Sequence, residues 1–211
     1  SYRDTDIKDY RHTAITLARK GYWVFRMGKI VQNEFGVDNP RIIDYANSGC
    51  RSDFLDIWLM SRCFFCISTS TGFDSIADMF RKPFAFVNFM PLRLFQTWSK
   101  CVLAPSHLIW KNDRTRLTCR EHLEHGYQSI DQYKAQNIII DPLKPDEITE
   151  TVMELERRLT GEWSASPQEL DKQRKFWELY RQYGGETPPN GYYHPKAYLS
   201  ASFLRQNEKF L

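Results

Sequence analysis

Apolar and polar positions alternate along this chain in two rhythms, one helical and one extended. Between Asp6 and Lys20, residues Ile7, Tyr10, Ala14, Ile15, Leu17 and Ala18 fall at helical spacing, with Gly21 as a stop. Tyr22–Gly28 (YWVFRMG) is aromatic and β-branched and reads as a buried strand. A second short strand, Arg41–Ala46 (RIIDYA), follows the Asp38-Asn39-Pro40 turn. Ser52–Cys63 (SDFLDIWLMSRC) reads as a helix with Ser52 as its N-cap, and Phe64–Thr69 (FFCIST) as a third strand. Thr71–Lys82 reads as a helix ended by Pro83, and Phe84–Phe89 (FAFVNF) as a fourth strand stopped by Pro91.

The stretch from Leu92 to Thr118 is less regular and suggests only short helical turns. Cys119–Gly126 then predicts a brief helix, Asn137–Asp141 (NIIID) a last strand, and Lys144–Leu159 an amphipathic helix. That helix has proline and acids at its start and arginines at its end. Strands and helices in alternation, joined by short connections, predict an α/β fold: a Rossmann-like parallel sheet flanked by helices. After Gly161 the pattern changes to a surface-type helix at Ser166–Gly185, a rigid loop at Thr187–Pro195 and a final helix at Ala197–Leu211. The organisation expected is therefore a ligand-binding domain over residues 1–160 and a C-terminal helical extension over 161–211 packed on it.

Composition narrows the class without naming it. The chain has 211 residues, 42% hydrophobic and 26% charged, which suits one soluble domain with a sizeable core. A net charge of +3 with both signs interspersed demands neither nucleic acid nor an anionic membrane as partner. Five cysteines are an odd number in a chain that needs no staples, so reduced thiols and a cytoplasmic setting are expected. No apolar run reaches the roughly 20 residues of a membrane span. The chain opens at Ser1, so its native start is expected to lie upstream. Cys63-x-x-Cys66 and Cys119-x-x-His122 make a formal zinc set, but a strand position and a helix end hold thiols poorly for that purpose, and no metal is expected. His122 and His125 read as surface residues.

The candidate chemistry lies at one seam. Ser68-Thr69-Ser70-Thr71-Gly72 joins the third strand to the following helix. In a parallel sheet, ligands collect where strands end and helices begin. Hydroxyls and a glycine there could cradle a phosphate; alternatively Ser70 or Thr71 is an ordinary helix cap. Asp56 sits within an otherwise apolar run, either as a buried carboxylate requiring donors, such as a guanine edge, or as a solvated acid in a first helical turn. Arg51, Arg26 and Lys29 stand near element ends from which they could reach a phosphate. Neither a P-loop nor a dinucleotide fingerprint is present.

Three stretches resemble a family of bacterial glycosyltransferases of surface-polysaccharide gene clusters: YRDTDIKDYRHTAITLARKGYWVFRMGK, RIIDYANSGCRSDFLDIWLMSRCFFCISTSTG and PFAFVNFMPL. The likeness runs on through NIIIDPLKPDEITETVMELERRLTGEW and FLRQNEKFL. More distantly, FLDIWLMSRCFFCISTSTGFDSIA resembles the donor-site motif of α1,6- and protein O-fucosyltransferases. The resemblance implies the C-terminal, nucleotide-sugar-binding half of a GT-B glycosyltransferase, metal-independent and inverting, with an N-terminal acceptor domain outside this chain. It implies that Asp56 binds the base, that Ser70 and Thr71 contact the diphosphate and donor sugar, and that Ser68 and Thr69 flank them. Thr71 stands where the fucosyltransferase motif has a second serine. The arginine that clamps the donor phosphate in those relatives has no counterpart here unless Arg3 serves, and Asp4 and Asp6 are the candidate catalytic bases. Nucleotide sugar and glycan acceptor are thus the expected partners, with no cofactor. A non-catalytic binding module derived from a transferase and a sugar-nucleotide epimerase are the alternatives.

Overall fold

The computed structural model describes residues 5–184 and 193–211. A 3₁₀ turn at Ile7–Tyr10 leads into α1 (Arg11–Arg19), which buries Thr13, Ala14, Leu17 and Ala18 on one face. Gly21, with φ +97°, turns the chain out of it. Two short parallel strands follow, β1 (Val24–Phe25) and β2 (Ile42–Ile43), in register Val24 to Ile42. α2 (Asp53–Arg62) starts at Ser52, whose hydroxyl accepts from the Leu55 amide at 3.2 Å.

The parallel sheet comes next. β3 (Cys66–Ser68), α3 (Ser75–Met79) and β4 (Phe84–Phe89) form one crossover unit, and β5 (Cys101–Pro105) lies beyond β4. β6 (His107–Trp110), α4 (Cys119–Glu124), α5 (Ile130–Ala135) and β7 (Ile138–Asp141) make an excursion in which β6 and β7 pair antiparallel. α6 (Pro145–Thr160), α7 (Pro167–Tyr183), β8 (Ala197–Leu199) and α8 (Ala201–Gln206) complete the chain. The four-stranded sheet has the order β3-β4-β5-β8, every pair parallel, with Cys66, Phe84, Cys101 and Ala197 in line. Every residue of β4 and β5 is buried, because helices cover both faces; hence these strands are continuously apolar and do not alternate. The protein is thus a parallel, Rossmann-like α/β fold.

Several expectations change. Tyr22–Gly28 holds only a two-residue strand, and Trp23 (59% exposed) and Phe25 (41%) point outward, so aromatic bulk there did not mean burial. The irregular stretch after Leu92 contains β5 and β6. Asn137–Asp141 does form a strand, but it joins an antiparallel pair outside the main sheet. The final segment begins as β8, not as a helix, and supplies an edge strand to the sheet. That edge is covered by α7: the Gln173 amide donates to Leu199 O (2.6 Å) and accepts from Leu199 N (3.0 Å). α7 is also less superficial than its charge suggested, since Phe176 and Tyr180 are core residues. His122 is buried rather than superficial. Most of the loop at Thr187–Pro195 lies outside the described residues.

Candidate functional site

Because its strands run one way, the sheet has one edge made of strand ends. At the end of β3, Ser68 is buried; its hydroxyl donates to the Asp74 carboxylate and accepts from the Ser70 amide at 3.0 Å. Ser70 takes a left-handed conformation (φ +63°), which a serine adopts only where neighbours impose it. Thr69 is half-buried, and Thr71 and Gly72 are exposed. Thr71 stands at the N-cap position of a 3₁₀ turn (Gly72–Asp74), yet its side chain makes no capping hydrogen bond. A methyl group built on Gly72 would meet no atom within 4 Å, so the space above the turn is open.

Two parts of the sequence picture are altered here. β3 is an edge strand of the four-stranded sheet, and α3 is only five residues long, too short for a substantial dipole. Asp74 beside Ser68 further disfavours an anion at that end of the turn, leaving Thr71 and Gly72 as its accessible part.

Asp56 is buried at 4% exposure, because α2 turns this carboxylate inward and leaves Phe54, Ile57 and Trp58 exposed. Arg51 donates to Asp56 and, at 3.1 Å, to Asp53. Asp56 Oδ1 and Arg51 Nε are both buried with no hydrogen-bond partner. The carboxylate is therefore the buried kind, and Arg51 is engaged by it rather than standing free for a phosphate. Arg26 is engaged as well: it reaches Asn33 O at 2.6 Å and Asp44 at 3.2 and 3.3 Å. Burial opposes ionisation of Asp44, but donors from Phe35, Asn47 and Arg26 outweigh it and hold its pKa below the usual range. Lys29 is exposed in the loop that follows. Asp6 is exposed and caps the first 3₁₀ turn, accepting from Lys8 N at 3.0 Å. Asp4 and Arg3 lie outside the described residues.

Asn88 escaped sequence reasoning. It sits at a bulge near the end of β4 with φ +56° and is 2% exposed. Its side-chain oxygen accepts from Leu143 N (2.7 Å) and the Ser106 hydroxyl (3.2 Å), and the Tyr10 hydroxyl lies beside it. Asn88 thereby ties the ends of β4 and β5 to the first 3₁₀ turn, bringing the Asp6 segment to the strand-end edge. An asparagine inside an apolar strand is the signal, since asparagine is depleted in strands and tolerates left-handed backbone.

The loop between β1 and β2 borders an open hollow of about 460 Å³ lined by Glu34, Phe35, Asp38, Asp44 and Asn47. Its carboxylates suit it poorly to a diphosphate. Among the described residues no group of three or more His, Cys, Asp or Glu side chains is placed to hold a metal ion, and no helix is long and apolar enough to cross a membrane. No family model, curated protein or solved structure matches the chain. The class it belongs to is set by the fold itself: a Rossmann-like α/β protein with a polar, open turn at a strand end.

Proposed function

We propose that this chain is the nucleotide-sugar-binding half of a glycosyltransferase. It holds a nucleoside-diphosphate sugar at the turn after β3, for inverting transfer to a glycan acceptor. The observation that carries the reading is the Thr71–Gly72 pair. It offers an exposed hydroxyl that no cap uses and open space above a glycine, at the edge where parallel sheets bind ligands. Asp56 supports it, as a buried carboxylate oxygen lacking a donor is suited to the imino and amino edge of a guanine. The diphosphate would rest on Thr71 and Gly72, away from Asp74. The resemblance to polysaccharide glycosyltransferases and fucosyltransferases supplies the sugar-transfer chemistry.

Calorimetric titration of GDP and UDP, with and without EDTA, tests this on the wild type and on Thr71→Val. Binding of GDP that survives EDTA is expected. Thr71→Val should weaken it by about 1.5–3 kcal/mol, the value of a hydrogen bond to a charged group, or roughly ten- to a hundredfold. Stability should change by no more than about 0.5 kcal/mol, because the side chain is exposed and caps nothing. Stability loss with unchanged affinity would return Thr71 to a structural role, and absence of saturable binding by either nucleotide would end the proposal. Release of free sugar from GDP- or UDP-sugars would separate an enzyme from a binding module.

A further inference from the structure

The loops that enter the parallel strands gather on the opposite edge of the sheet, and three backbone bonds fix their order. Cys66 N donates to Pro83 O (2.8 Å), Phe84 N to Lys100 O (2.9 Å) and Cys101 N to Lys196 O (3.1 Å). The segments preceding β3, β4, β5 and β8 therefore stand side by side. They carry bulky apolar groups outward: Phe64 is 51% exposed, Met79 69%, Phe80 50% and Trp98 45%. The turn into β1 adds Trp23, since the neighbouring Tyr22 ring stacks on Phe64 at 5.9 Å.

The same loops are basic. Arg81, Lys82, Lys100 and Lys196 belong to them and Arg62 ends α2 beside them, and none makes an ion pair among the described residues. The acids nearby are mostly consumed internally. Asp78 accepts from Thr97, Ser99 and the Trp98 amide, and buried Glu156 is bound by Lys20 and Tyr22, leaving Glu162 at the margin. Burial, and after it the charges of Lys100 and Lys196, hold the His194 pKa below the usual range. Arg81 lies 5.2 Å over the Trp98 ring and Arg41 5.7 Å over Trp23, so cations and indoles share the surface.

We propose that this face docks on an anionic lipid surface, with the aromatic and methionine side chains at headgroup depth and the lysines and arginines against lipid phosphates. The charge of the face specifies an anionic partner. Its apolar groups specify one with an apolar layer behind the charge, because Phe64, Met79 and Phe80 offer no hydrogen bond and add exposed apolar surface beyond scattered single residues. Their arrangement on adjoining loop tips, rather than along a groove, favours a membrane over a nucleic-acid strand. The inference does not depend on the nucleotide-sugar reading, which concerns the other edge.

The test is co-sedimentation of the whole chain with vesicles of phosphatidylcholine alone or of equal parts phosphatidylcholine and phosphatidylglycerol, across a salt series. Binding to the anionic vesicles that falls with salt is expected, with little binding to the neutral ones. The pair Lys82→Gln and Lys100→Gln should reduce partitioning about twenty-fivefold, near fivefold for each basic residue. The pair Met79→Ser and Phe80→Ser should reduce it with the charge intact. Melting temperatures exclude unfolding, and the lysine pair, on the surface, keeps the test valid should the apolar pair fold poorly. Failure to sediment with anionic vesicles, or binding unchanged in both pairs, overturns the proposal. Tight binding of a thymidine oligonucleotide that the lysine pair abolishes, with no vesicle binding, would overturn it in favour of nucleic acid.

Discussion

His122 offers a test of how the C-terminal segment is held. α4 turns it inward to 2% exposure, edge-on to Phe210 at 5.3 Å. Nearby His107 stacks on Phe203 at 5.5 Å and pairs with Glu147 at 2.9 Å. Nδ1 of His122 is buried without a partner. Burial, and after it the charge of His107, push its pKa from 6.5 down to about 3. A depressed histidine pKa means that the fold prefers the neutral ring. The associated stability is complete above pH 6.5, the unfolded value, and is lost as pH falls toward 3. The full interval corresponds to about 5 kcal/mol, and the part reached at about pH 4.5 to about half of that relative to neutrality. His122→Leu removes the titrating group and costs about 1 kcal/mol in packing at neutral pH. Urea unfolding of both proteins across this range should show wild type losing about 2–3 kcal/mol more than the variant by pH ~4.5. A difference between the two that stays constant with pH would refute the assignment of acid sensitivity to His122.

Asp56→Asn should fold, with a loss of about 1–2 kcal/mol, because partly exposed Arg51 can turn to Asp53 and water. If Asp56 reads a base, the variant should weaken GDP more than UDP in calorimetry; equal weakening would remove it from base recognition. Thiol labelling of the native protein, followed by peptide mass spectrometry, should modify exposed Cys50 first. It should spare Cys101 and Cys119, since burial pushes the Cys119 thiol up to about 12 and Cys101 higher still. Rapid labelling of either buried cysteine would contradict the packing of β5 and α4.

Elements whose own residues carry both signal and punctuation were legible in the sequence. Ser52 starts α2, Pro83 and Pro91 bracket β4, and Pro145 and Gly161 bound α6. Elements defined by their neighbours were not. β8 is three residues long and apolar, with nothing local to separate it from a helix; pairing with β5 makes it a strand. Within the site, the turn after β3 and the inward position of Asp56 could be anticipated from small hydroxyl residues and from an acid in an apolar run. The fates of Arg26 and Arg51 could not. Each is bound by a carboxylate, Asp44 and Asp56 respectively, and a guanidinium's partner is a property of the folded chain. Net charge is limited for a related reason. A sum of +3 is silent about charges of one sign that the topology collects on one edge.

A parallel sheet does this sorting by construction. Every strand of that sheet must be entered from the same side, so a crossover helix such as α3 returns its C-terminal end to one edge and each strand delivers its end to the other. Helix C-termini favour Lys and Arg, and strand ends favour turn residues with small polar side chains. Basic residues at the end of α2 and after α3, and hydroxyl residues after β3, are therefore local preferences first, and become two opposite faces only because the fold aligns them. The six residues of β4 set the separation of those faces at about 20 Å. Groups that far apart with no shared partner act independently. A substitution on the entry edge should then leave the exit edge undisturbed, and the reverse.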